Sequence, residues 1–250
     1  MDAIKFLDGS DVVFTSYFNS KVNPQRNALG EYEFVPRNNI NYIYPWYVTV
    51  CHLNLNGVII HDGLNPDFVE RHTRENIQFI QCSPGGLSLN DERFLALYEL
   101  IKDRHFRRVM MTDGSDVMFK RDPFEFMEDS STLYVGSDDP TTVRIRDSRW
   151  CLKKTQDLKL SNAEVIELDD TYGDFEYVNA GVVGGSMAIM RSLIESLSLL
   201  LRMMGNDRNH NMMALNYLIW KYKIKHHKGA PFTSPFKSHA IHGDYYIVHK

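Results

Sequence analysis

The sequence lacks the features that would mark a secreted, membrane-spanning or nucleic-acid-binding chain. Its 250 residues include only 3 cysteines, Cys51, Cys82 and Cys151, widely separated and with no CxxC pair. Neither a disulfide framework nor a cysteine zinc site is supported, and reduced thiols in a cytoplasmic protein are expected. A basic excess is missing too: 28 Lys and Arg face 32 Asp and Glu, for a net charge of −4. That argues against a general nucleic-acid partner. No apolar run reaches the ~20 residues of a membrane span. The longest, around residues 193–204, is broken by Glu195, Ser196, Ser198 and Arg202. The opening MDAIKFLDGSD carries acids where a secretory leader needs a basic and then an apolar stretch. There is no internal repeat and no Pro/Gly/Ser linker long enough to separate domains.

What is present suits one α/β domain over residues 1–250, at 43% hydrophobic and 24% charged. Apolar and β-branched runs at 12–18, 57–61, 77–81, 109–112, 133–135, 178–184 and 245–248 read as strands. The run at 109–112 is expected to continue through an acidic turn into 117–119. Helical spacing appears at 41–53, after Asn90-Asp91, at 187–204 and at 211–222. Trp46 and Tyr47 belong to the packing face of the first of these helices. This alternation predicts a Rossmann-like fold, a mostly parallel central sheet flanked by helices on both faces. Sheets of this kind bind ligands at the carboxyl ends of their strands. Residues 144–174 carry the weakest pattern and are expected to form a long loop or lid, which includes Trp150.

The stretch from Arg108 to Phe119 (RVMMTDGSDVMF) carries the most chemistry. Asp113 and Asp116 follow an apolar strand, and Gly114 and Ser115 between them let the backbone turn. Two carboxylates facing one crevice offer the hard oxygen ligands of a divalent ion, with positions left open for phosphate. The plain alternative is an Asp-Gly turn between two strands. Asp138 and Asp139 form a second acidic turn after a strand. If a hydroxyl must be deprotonated, these two and Asp207 are the candidate bases.

Three blocks in order resemble nucleotide-sugar-dependent glycosyltransferases of the GT-A fold. The first is NDERF at 90–94, then the acidic motif, then Arg121-Asp122-Pro123-Phe124. The second is Val178-Asn179-Ala180-Gly181 through Gly185, followed by the helix start at Asn211. The third is 229–236 with the terminal YYIVHK. The resemblance implies a UDP-sugar donor ahead of a GDP-sugar, a glycan or other hydroxyl acceptor, and a Mn2+ or Mg2+ cofactor. It implies Asp116 and His249 as metal ligands, with Asp113 on the metal or the ribose and His242 as the rival histidine. Thr15, Ser16 and Tyr17 would hold base and ribose, Arg93 and Lys250 the diphosphate, and Asn179 the donor sugar. Two positions depart from the family pattern. The acidic motif has two intervening residues instead of one, and Asn211 stands where many relatives have an aspartate. An amide can orient a hydroxyl but cannot act as a base. A non-catalytic nucleotide-sugar or carbohydrate-binding module therefore stays open. A sugar-nucleotidyltransferase fits poorly, because 12–30 holds a single glycine, Gly30, where a phosphate loop would be rich in them. His226-His227, between Lys225 and Lys228, reads as a basic surface turn.

Overall fold

The computed structural model describes residues 4–22, 35–138, 144–159, 166–205, 208–236 and 242–250. The strands are β1 (Asp11–Tyr17), β2 (Gly57–His61), β3 (Ile77–Gln81), β4 (Arg108–Thr112), β5 (Val117–Phe119), β6 (Leu133–Gly136), β7 (Asn179–Ser186), β8 (His226–Lys228) and β9 (Ile247–His249). The helices are α1 (Tyr44–His52), α2 (Pro66–His72), α3 (Leu89–Ile101), α4 (Arg149–Lys159), α5 (Met187–Met204) and α6 (Asn211–Lys221). Seven strands form one sheet in the order β3-β2-β1-β4-β7-β6-β8. All its pairs are parallel except those of β7, which runs against β4 and β6. This is the α/β architecture with a mostly parallel central sheet flanked by helices that the alternation predicts.

Each face of the sheet carries its own apolar core, as the two-residue period of a strand requires. From β1, Val12 and Phe14 pack with Phe94, Leu97, Met190, Leu193 and Leu215 of α3, α5 and α6. Val13 and Tyr17 point the other way, towards Trp46, Tyr47 and Val50 of α1 and Phe68 of α2. Trp46 is fully buried, and its indole N–H donates to Thr112 Oγ1 at 2.8 Å. That bond ties α1 to the end of β4, one residue before the acidic motif. Ser186 accepts from the Ile189 N–H to cap α5, which ends at Gly205 in a left-handed conformation (φ 61°).

Several local expectations change. Ser88, not Asn90-Asp91, caps α3: its hydroxyl accepts from the Asp91 N–H at 3.2 Å, and Asp91 turns inward. The run at 117–119 does not extend β4. It leaves the main sheet as β5 and pairs antiparallel with β9, setting Val117 opposite His249. The His226-His227 pair is not a surface turn but lies in β8, the edge strand parallel to β6. The supposed lid holds a 3-10 turn (Ile145–Asp147), helix α4 and a second 3-10 turn (Asp170–Asp174) among its described residues. No helix among the described residues is long and apolar enough to cross a membrane.

Candidate metal centre

The acidic motif, the start of β7 and the end of β9 meet at the carboxyl ends of the parallel strands. Asp113 follows β4 directly, and its N–H donates to the Gly181 carbonyl at 2.8 Å. The β5–β9 pairing then carries His249 to the same place. Ligand atoms of Asp113, Asp116 and His249 all lie within 4.8 Å of one another. His249 Nε2 is 3.6 Å from Asp113 Oδ2 and 3.9 Å from Asp116 Oδ2. Neighbouring ligands on an ion with ~2.1 Å bonds stand about 3 Å apart, so the three groups would have to draw together to close onto a cation.

The hydrogen-bond accounting fits a cation. His249 is 1% exposed, yet neither of its ring nitrogens has a hydrogen-bond partner, and Asp116 Oδ1 is buried without one. Buried polar atoms left unpaired cost free energy and call for a ligand. Burial lowers the His249 pKa, against the attraction of Asp116, and so favours the neutral imidazole that a metal needs. Burial likewise raises the Asp116 pKa, against the pull of His249 and Arg93. Two carboxylates and an imidazole form a donor set that could hold a divalent cation.

The ligands are held by residues around them. Arg93, 5% exposed, hydrogen-bonds Asp113 Oδ1 and donates to the Ala180 carbonyl at 2.9 Å. One carboxylate oxygen is thereby fixed and Oδ2 is turned to His249. Burial lowers the Arg93 pKa to about 10, so it stays charged near neutrality. Ser234 Oγ accepts from the His249 N–H at 2.9 Å, and the Phe236 ring lies 4.5 Å from the imidazole. Gly181 forms the floor. A Cβ there would fall 2.2 Å from His249 Cε1 and 2.7 Å from Asp113 Oδ2. Gly114 is equally confined, since its Cβ would fall 2.7 Å from Thr15 Oγ1.

The remaining expected site residues separate by position. Thr15 is fully buried and donates to the Thr112 carbonyl at 3.0 Å. Tyr17 is also fully buried, with its ring against Tyr42 and Phe68 and its hydroxyl on the Pro36 and Asn39 carbonyls. Neither presents a surface to a nucleobase. Half-buried Ser16 and exposed Ser115 border the motif. Asn179, 2% exposed, accepts from the Gly181 N–H at 2.7 Å and so shapes the floor. Exposed Lys250 adjoins Asp116, donating its N–H to the Asp116 carbonyl at 2.8 Å. Asn211 gives its amide to Asp91 at 3.0 Å and to Asn209 at 2.7 Å, so its donors are committed to structure. Asp138 stands on the neighbouring wall, hydrogen-bonded by the Tyr177 hydroxyl. His242 is not among the clustered ligands. Asp139 and Asp207 lie outside the described residues.

Gly181, Ser234, Phe236 and Tyr177 carry no role that the sequence alone predicts. Gly181, Ser234 and Phe236 fall within the blocks that carry the resemblance, whereas nothing in the sequence singles out Tyr177. No protein-family model matches the chain, and no curated protein matches it.

Proposed function

We propose that this protein is a divalent-metal-dependent glycosyltransferase, moving a sugar from a nucleoside diphosphate, UDP ahead of GDP, to a glycan or other hydroxyl acceptor. The observation that carries the reading is buried His249, whose unpartnered nitrogens sit beside two strand-end aspartates. Asp113, Asp116 and His249 would hold Mn2+ or Mg2+. Such an ion supplies Lewis-acid neutralisation of the charge that builds on the leaving diphosphate. Arg93 keeps one face of Asp113 occupied and orients the other. Lys250, exposed at the rim, adds a positive charge where the diphosphate arrives. Asp138 is the described carboxylate best placed to take the acceptor proton. The free, widely separated cysteines fit a cytoplasmic setting.

A non-catalytic binding module is the second reading, favoured by Asn211, whose amide is spent on Asp91 and Asn209. Release of nucleoside diphosphate from UDP-sugars, measured with Mn2+ and with EDTA, separates the two. Cation-dependent release supports the enzyme. Nucleotide-sugar binding with no release and no transfer supports the module. A thermal-shift screen of nucleotides with Mn2+ narrows the donor. A ligand at 100 times its Kd stabilises the fold by about 2.7 kcal/mol.

A further inference from the structure

We infer that the outer face of α4 is a docking surface for an anionic membrane, with Arg149 and Lys153 on the lipid phosphates and Trp150 and Leu152 at the headgroup boundary. The inference goes beyond the glycosyltransferase reading and does not depend on it.

Residues 144–159 carry six Lys and Arg against two acids, Asp147 and Asp157, in a chain whose net charge is −4. Helical spacing divides α4 into two faces. Cys151, Thr155 and Leu158 are buried on one, and Thr155 Oγ1 meets Met213 Sδ of α6 at 3.7 Å. Arg149, Lys153 and Gln156 recur on the opposite face, and all three are exposed. Trp150 and Leu152 flank that stripe, 46% and 43% exposed.

The cations of this segment are not equally committed. Arg144 and Arg146 pair with Asp174, and Lys154 pairs with Asp157. Arg149 and Lys153 have no ion-pair partner among the described residues. The two outermost charges of the helix are therefore the two that no carboxylate balances.

A single exposed tryptophan or leucine is ordinary on a protein surface. Here both stand with two unpaired cations inside residues 149–153. An anionic bilayer matches each part. Its phosphates answer the cations, its interface is where an indole settles, and the acyl boundary beneath takes a leucine. A soluble polyanion would answer the charge and leave Leu152 in water. Because the buried face of α4 is committed to the protein, only these outward groups are offered, so attachment is peripheral, reversible and salt-sensitive.

The test is flotation of the full chain with phosphatidylcholine vesicles, with and without phosphatidylserine, with Trp emission recorded in parallel. Binding should require phosphatidylserine and fall as salt is raised from ~0.1 M to ~1 M, where the Debye length shrinks from about 10 Å to about 3 Å. A basic residue at an anionic surface is worth about fivefold in partitioning, so Arg149→Gln/Lys153→Gln should bind about 25-fold more weakly. Arg71→Gln/Lys102→Gln, which removes the same charge from exposed positions outside α4, should lose far less. Emission should shift to shorter wavelength on binding in the wild type and stay fixed in Trp150→Phe. Thermal melts of all variants should match the wild type, since every substituted side chain is exposed. Absence of vesicle binding, equal binding to phosphatidylcholine alone, equal losses in the two double variants, or a shift that persists in Trp150→Phe each overturns the inference. Retention on heparin without vesicle binding also overturns it, by assigning the patch to a soluble polyanion.

Discussion

Asp91 and His249 are both 1% exposed, one in the first turn of α3 and the other the last residue of β9. Their surroundings differ in one respect. Asp91 accepts from the His210 N–H, the Asn211 N–H and the Asn211 amide, so a carboxylate on α3 caps the first turn of α6. His249 has both ring nitrogens unpaired. The first is a buried charge whose partners all come from its own chain. The second is a buried imidazole that faces two carboxylates yet has no hydrogen bond to either ring nitrogen. Full satisfaction marks architecture, and orphaned atoms mark a place for something else to bind.

Substitutions can break this contrast from either side. The largest effect on metal binding is expected for Gly181→Ala, whose Cβ cannot coexist with His249 Cε1 at 2.2 Å. Overpacking of this kind costs about 1–3 kcal/mol. Calorimetric titration with Mn2+ should show binding in the wild type and none in the variant. Unchanged binding would mean that the ligands are not held against that backbone. Asp91→Ala should do the reverse. It leaves two buried N–H groups unpaired, each worth about 1–3 kcal/mol, so denaturant melts should show a loss of that order while Mn2+ affinity is retained.

Acidity sharpens the comparison. Burial raises the Asp91 pKa from 3.8 to about 6, against the hydrogen bonds it accepts. A carboxyl that binds its proton more tightly when folded adds stability at low pH, and that contribution is lost as pH rises through the folded pKa. The wild-type advantage over Asp91→Asn should therefore shrink between about pH 4 and pH 7, by on the order of 2–3 kcal/mol. Stability curves of the two proteins across that range check the sign. The smallest effect is expected for Trp150→Ala. The residue is 46% exposed on α4, so stability should move by less than about 0.5 kcal/mol.

Much of this was legible in the residues, for reasons that differ by element. The bounds of β2, β3 and α5 match their sequence patterns, because a short apolar run and a long amphipathic one each admit a single reading. β8 is three polar residues, His226, His227 and Lys228, and nothing in that run announces a strand. It becomes one only because β6 leaves an edge beside it. In α4 the inward positions are Cys151, Thr155 and Leu158, too few apolar groups to stand out from a loop. At the site, Asp113 and Asp116 are close in sequence and their chemistry is local. Tyr177, Gly181 and Ser234 act through contacts made by folding, and Ser234 reaches His249 only through the pairing that brings β9 home.

The most direct test is UDP release from UDP-sugars by the full chain, with Mn2+, with EDTA, and in Asp116→Ala. The account predicts release that needs the cation, stops on chelation and is absent from an Asp116→Ala protein that still folds. Release that persists in EDTA, or full activity in Asp116→Ala, would contradict it.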